Sequence, residues 1–168
     1  MQLKMILAMD LDGCIGKENG LPWRLRSDML RFKRLTMGQG NSAVLMGRTT
    51  WETIPEMYRP LVGRINIVVT RNTEYSLHDA YVVNSIEEGI QHALGKNCDE
   101  CWIIGGANVY EQCRDMVEEI HLTSVETSNS GDVKVTLFGE DWSREVIEST
   151  PKNSDNEYPT TYMILTKS

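Results

Sequence analysis

Apolar residues fall in short continuous runs along this chain, each closed by a polar or glycine-bearing junction. The runs Leu3–Met9, Ser42–Met46, Ile65–Thr70, Ala80–Val83, Cys101–Ile104, Glu119–Val125, Glu145–Glu148 and Tyr162–Thr166 predict strands. Several lack polar alternation, the pattern of strands covered on both faces. Between them a helical period predicts helices over 27–37, near 50–54, over 86–94 and over 108–116. Ser85 with Glu88 forms a capping box at the start of the third helix, and Gly95 marks its exit. Strand and helix alternate over the first two thirds of the chain, whereas the last third has strands alone. The expected fold class is therefore α/β: one domain over residues 1–168, with a mostly parallel sheet of about eight strands. Four helices should flank that sheet, and its C-terminal edge should be antiparallel. Gly139–Trp142 and Pro151–Pro159 read as surface loops.

The first helix contains an anomaly. Asp28, Phe32 and Leu35 fall on one helical face, with Leu25 a turn earlier, while Arg31, Lys33 and Arg34 fall on the other. The apolar face should turn inward, taking the carboxylate with it, and a buried carboxylate is costly unless something pairs with it. Ser27 or Asp28 could cap a helix starting there. The alternative is a carboxylate kept to bind a cationic or amidine-like group on a ligand.

Composition narrows the picture. The chain has 168 residues, 40% of them hydrophobic, which is ample for a core. Its 24 acids against 17 bases give a net charge of −7, which argues against a general nucleic-acid binder. The first apolar run, Met5 to Met9, is closed by Asp10 and is too short for a signal peptide or a membrane span. A soluble, cytoplasmic protein is expected. Cys98 and Cys101 have a CxxC spacing, but Cys14 and Cys113 are isolated and the histidines show no metal spacing. Reduced, structural cysteines and no metal are the expectation.

Two strand-to-helix junctions suit anions. Gly47-Arg48-Thr49-Thr50 follows one predicted strand, offering backbone N–H groups, two hydroxyls and a guanidinium. Gly105-Gly106-Ala107-Asn108-Val109-Tyr110 follows another, where paired glycines let a backbone approach a pyrophosphate, or simply turn the chain tightly. Thr70-Arg71-Asn72 adds an arginine at a third strand end. Three such ends in one parallel sheet point to an elongated ligand with several phosphates, such as a dinucleotide. The stretch Asp10–Trp23 is a polar, glycine-spaced loop whose Ile15, Leu21 and Trp23 could close over a ligand.

In combination, Ile15-Gly16, Leu21-Pro22-Trp23, Asp28 with Phe32-Lys33, and Met46-Gly47-Arg48-Thr49-Thr50-Trp51-Glu52 resemble the dihydrofolate reductase family. Arg59-Pro60-Leu61, Gly63-Arg64, Ile104-Gly105-Gly106 with Val109-Tyr110, and His121-Leu122-Thr123 extend the resemblance over residues 3–167. It implies that Asp28 holds the pterin N3 and 2-amino group with Thr123 behind it, near Trp23 and Tyr110. The carbonyls of Ile6 and Ile104 would face the pterin. Met29, Phe32, Ile54 and Leu61 would form the benzoyl slot, with Lys33, Arg59 and Arg64 at the glutamate end. NADPH would lie along Ala8, Ile15, Gly16, Asn19, Gly20 and Leu21, the Gly47–Thr50 turn, Thr70, Arg71, Asn72, the Gly105–Tyr110 turn and Gln112. Arg48 and Arg71 would be nearest its 2′-phosphate, Gly105-Gly106 would contain a cis peptide, and residues 10–24 would form the lid. The resemblance implies a monomeric enzyme of one-carbon metabolism acting on dihydrofolate, without nucleic-acid or membrane partners.

The chain departs from that pattern in Cys14, in the lengthened segments Thr36–Ser42 and Pro55–Tyr58, and in Val133–Phe138, which bears on how the lid is supported. Two other readings are a reductase of phosphoribosylated pyrimidines, which would not need Asp28, Phe32 and Arg64 together, and a non-catalytic nucleotide or folate binder.

Overall fold

The computed structural model describes residues 1–16, 22–128, 130–135 and 141–168. In chain order the elements are β1 (Gln2–Asp10), β2 (Cys14–Gly16), α1 (Arg26–Met37), β3 (Ser42–Gly47) and α2 (Arg48–Thr53). Next come a 3-10 turn (Glu56–Tyr58), β4 (Ile65–Val69), β5 (Tyr81–Val83), α3 (Ile86–Gly95), β6 (Glu100–Gly105) and α4 (Ala107–Cys113). The chain continues through β7 (Glu119–Val125), β8 (Val133–Lys134), β9 (Trp142–Thr150) and β10 (Thr160–Lys167). The main sheet has eight strands in the order β5-β4-β3-β6-β1-β7-β10-β9. Every pairing in it is parallel except the two made by β10.

The expected α/β architecture is present, with four α-helices among the described residues. Alternate residues of the central strands enter different cores. Met5, Leu45, Ile67, Ile103 and Ile120 are fully buried in one cluster, while Val44, Met46, Val68 and Trp102 are buried in another. Continuous apolar strands arise because both faces of the sheet exclude water.

Three expectations need correction. First, β2 and β8 pair antiparallel in a small second sheet that the apolar pattern does not announce. Second, Trp142 is buried and opens β9 rather than ending a surface loop. Third, neither Ser27 nor Asp28 caps α1, whose N-cap position is Leu25 with no side-chain cap. The Ser27 N–H donates instead to Asn156 Oδ1 at 3.1 Å, and the Arg26 N–H donates to the Asp155 carbonyl at 3.1 Å. A loop distant in sequence therefore satisfies donors that helix starts leave open. The Ser85 half of the α3 capping box forms, the Glu88 N–H donating to Ser85 Oγ at 3.1 Å, while Glu88 Oε2 reaches one residue further back and accepts from the Asn84 N–H at 3.2 Å.

The topology fixes where a ligand can sit. The chain runs from β1 outward through β3, β4 and β5, then returns to place β6 between β3 and β1 before adding β7. The strand order reverses there, and the carboxyl ends of these parallel strands share one edge, where open α/β sheets bind ligands.

Candidate active site

A cleft of about 1540 Å³ opens along that edge. Single-ligand pockets usually occupy about 300–1,000 Å³, so this one has room for two molecules side by side. One end is lined by Asp28, Met29, Phe32, Lys33, Ile54, Leu61 and Arg64. The other carries Gly47, Arg48, Thr49, Thr50, Thr70, Arg71 and Gln112, and between them lie Ile6, Ala8, Ile15, Gly16 and the stretch from Ile104 to Tyr110.

At the first end, Thr123 Oγ1 donates to Asp28 Oδ1 at 2.6 Å, joining α1 to β7. Burial pushes the Asp28 carboxyl above its ordinary value, although the Thr123 hydroxyl and the Arg31 guanidinium both pull it down. Arg31 does not lie on the solvent side as its helical position suggested: it is only 6% exposed. Arg64 is fixed by two donations, from Nη1 to Thr36 Oγ1 at 2.9 Å and from Nε to the Val62 carbonyl at 3.0 Å. Its loop is braced by the buried Asn66, which accepts from the Leu61 N–H and donates to the carbonyls of Leu61 and Arg64. Sequence reasoning missed Asn66, although it is the one polar residue in the apolar run Ile65–Val69.

In the middle of the cleft, Gly105-Gly106 is a cis peptide, as is Arg59-Pro60. Gly105 has φ +121°, and a Cβ there would meet the Tyr110 ring at 3.2 Å. The Tyr110 hydroxyl donates to the Ile6 carbonyl at 2.8 Å, and burial raises its pKa well above the ordinary value. Neither Gly47 nor Gly106, the N-cap residues of α2 and α4, provides a side-chain cap, so the first N–H groups of both helices remain available to an anion. Arg48 is held at the cleft by stacking over the Tyr75 ring at 4.2 Å and by Glu52 at 3.4 Å.

Some sequence-singled residues stand elsewhere. Trp23 is buried with Leu25 and Val125, Arg59 faces the Trp51 ring, and the Asn72 side chain accepts from the Glu74 N–H; none of these lines the cleft wall. Thr123 reaches the cleft only through Asp28. Asn19, Gly20 and Leu21 lie outside the described residues, as do positions 17 and 18 in the middle of the expected lid and positions 136–138 of the Val133–Phe138 departure. Where the lid stretch is described, Asp10 anchors it. Burial raises the Asp10 pKa, but the Cys14 N–H, the Ser130 hydroxyl and N–H and the Asp12 N–H together hold it below the ordinary value. The four cysteines are buried and free, and burial pushes the Cys101 and Cys113 thiols up to about 12. Among the described residues no group of His, Cys, Asp and Glu could hold a metal ion.

The cleft also recruits residues that the sequence reading passed over. Asn84, Ser85, Ile86 and Glu87 line it from the β5–α3 junction. The capping box already marked a helix start directly after a strand there, and that was the available signal. Met57, Tyr58 and Val62 line its rim and are largely exposed, which only the fold reveals.

The family model described as dihydrofolate reductase matches residues 2–167. The chain belongs to the dihydrofolate reductase family. A putative dihydrofolate reductase of Caenorhabditis elegans is 36% identical over 92% of this chain and 87% of its own length. The type 3 dihydrofolate reductase of Salmonella typhimurium is 32% identical over 99% of both chains. The solved dihydrofolate reductase of Enterococcus faecalis, complexed with NADP(H) and RAB-propyl, superposes with a TM-score of 0.84 at 28% identity, covering 99% of this chain and 96% of that one. Dihydrofolate reductases are NADPH-dependent oxidoreductases, and the two-ended cleft has the capacity that a cofactor and a second ligand require.

Proposed function

We propose that this chain reduces 7,8-dihydrofolate to 5,6,7,8-tetrahydrofolate with NADPH, for thymidylate and purine synthesis, as a monomeric single-domain enzyme in the cytoplasm. NADPH, when bound, supplies the hydride that reaches pterin C6, and N5 gains a proton. The observation that carries this reading is Asp28: a carboxylate on a helix, backed by Thr123 and set among Met29, Phe32, Ile54 and Leu61 at one end of the cleft. An ionised carboxylate accepts hydrogen bonds from the amidine-like N3 and 2-amino edge of a pterin and raises its basicity. Among the described residues no second carboxylate or histidine lines that end, which supports proton delivery from water. Ile6 and Ile104 would turn backbone carbonyls to the ring and Tyr110 would stand beside the reacting carbons, all three lining the cleft, while Trp23 packs against Leu25 and Val125. Arg64, already oriented by Thr36, suits a carboxylate in the bidentate geometry that arginine favours. Lys33 adds charge at the cleft, and Arg59 stands behind it.

Toward the other end, the uncapped helix starts at Gly47 and Gly106 suit a pyrophosphate, with Thr49, Thr50, Ala107, Asn108 and Val109 around it. Arg48 and Arg71 would bind the 2′-phosphate beside Thr70, and Asn72 would shape the turn after them. Ala8, Ile15 and Gly16, which line the cleft, would stand where a nicotinamide meets the pterin. Gln112 completes the wall. Oxidation of NADPH, followed by its near-ultraviolet absorbance with and without dihydrofolate, tests the reading: loss of absorbance only when dihydrofolate is present is expected, and no loss would refute it.

A further inference from the structure

Beside Asp28 lies a cation that the reaction just described does not use. Arg31 is buried one helical turn along α1, and its Nη1 is 3.5 Å from Asp28 Oδ1. That separation is a charge contact, longer than an N–H···O hydrogen bond. Nη1 is buried and has no hydrogen-bond partner among the described residues. The rest of the guanidinium is braced: its carbon sits 4.3 Å over the Tyr162 ring, and Nη2 donates to Glu148 Oε2 at 3.0 Å. Tyr162 is itself fixed by the 2.7 Å contact of its hydroxyl with His121 Nδ1, while His121 Nε2 meets Glu119 at 2.9 Å.

A buried guanidinium is costly to desolvate and is retained where its charge is compensated. Two carboxylates share it, on unequal terms. Glu148 is 60% exposed and its charge is screened by water, whereas Asp28 is 21% exposed and faces the cleft. The Asp28 arm therefore works in the lower dielectric and carries more of the interaction. Because that arm is a charge contact, it takes up none of the acceptor capacity Asp28 needs for a ligand.

We propose that Arg31 is a positioning residue for the substrate carboxylate: braced by Tyr162 and Glu148, it holds Asp28 ionised in the empty and dihydrofolate-bound cleft. The proposal rests on Asp28 being the pterin-binding group. The titratable and charged groups facing Asp28 are Arg31 from α1 and Tyr110 from α4, with Thr123 of β7 as its neutral hydrogen-bond donor, while Glu148 from β9 and Tyr162 from β10 face Arg31.

The test is the pH profile of kcat/KM for dihydrofolate at saturating NADPH. Loss of an opposite charge at this range moves a carboxyl by about one to three units. In Arg31→Gln the acid limb should shift to higher pH by that amount, raising KM about tenfold or more just below the parent midpoint while kcat changes less. Arg31→Lys keeps the charge and should leave the limb within about half a unit of the parent. Glu148→Gln removes the competing carboxylate and should place the limb no higher than in the parent. An unmoved limb in Arg31→Gln, an equal shift in Arg31→Lys, or an upward shift in Glu148→Gln overturns the proposal. Should Arg31→Gln fail to fold, the other two variants decide. Asp28→Asn separates the two ideas: parent-level activity there would sink the site reading, whereas an inactive Asp28→Asn alongside an unmoved Arg31→Gln limb would sink only the role of Arg31.

Discussion

At the scale of single residues, Asp28 should trade stability for function. Its folded-state pKa lies above the ordinary aspartate value of 3.8, so between those two values the folded protein holds more protons than the unfolded chain. Stability contributed at this site therefore falls as pH rises through that window, and the penalty is fully present above the raised value. Asp28→Asn removes it. In ligand-free protein the melting temperature of the variant should gain on that of the parent as pH rises through the window, on top of a fixed loss from the Arg31 charge left without its carboxylate. Its reduction of dihydrofolate should drop roughly 30- to 1000-fold, the effect of losing about 2–4 kcal/mol of charge-assisted interaction. Thermal melts across pH, paired with initial rates, check both halves. A variant that melts lower at pH 7 would mean that Asp28 is net stabilising through Thr123 and Arg31.

At the scale of elements, α3 offers a separable test. Ser85 caps it while also lining the cleft, so Ser85→Ala removes one hydrogen bond and little volume. Loss of such a cap costs about 1 kcal/mol, which for a chain of this size lowers Tm by roughly 2–4 °C. A calorimetric scan should show that decrease, whereas an unchanged Tm would mean that water replaces the hydroxyl at no cost. This cap was legible in the sequence because both of its residues are local. The strands of the sheet interior were legible for a related reason: burial on both faces leaves Val44, Leu45, Ile67 and Val68 with no polar alternation to obscure them. Other elements depend on partners far along the chain and were not legible. The strands β2 and β8 are three and two residues long, too short to carry a period, and exist only by pairing with each other. The sequence pattern found only the middle of β9, because most of that edge strand is exposed and β10 dictates its extent. On α1 the period turned Asp28 inward, where it lines the cleft, yet it sent Arg31 to solvent. Periodicity registers charge and cannot register a Tyr162 ring and a Glu148 carboxylate arriving from the other end of the chain.

For the whole molecule, the distribution of charge matters more than its sum. The chain carries −7 overall, yet among the described residues the cleft is lined by Arg26, Lys33, Arg48, Arg64 and Arg71 against Asp28 and Glu87, a local balance of five cations to two anions. A positive cleft in a negative body concentrates small polyanions at its mouth while repelling them elsewhere. The screening length shrinks from about 30 Å at 0.01 M salt to about 3 Å at 1 M. The association rate of NADPH, followed by stopped flow, should therefore fall by about tenfold or more over that range. A rate that rises with salt would show that the global negative charge governs approach.

The contact that starts α1 also sets a schedule for making the protein. Ser27 and Asn156 are 129 residues apart, and both hydrogen bonds between them close the first turn of the helix that carries Asp28. At about 5–20 residues per second, a ribosome needs roughly 6 to 26 s to travel from one to the other. By the end of that interval the nascent chain has gained Asp28, the glycine pair and the arginines of the cleft, yet it still lacks the loop that fastens the helix holding the carboxylate. β10, inserted between β7 and β9, emerges later still. Competence for ligand should thus arrive abruptly, with the last strand, rather than growing as the sheet is assembled.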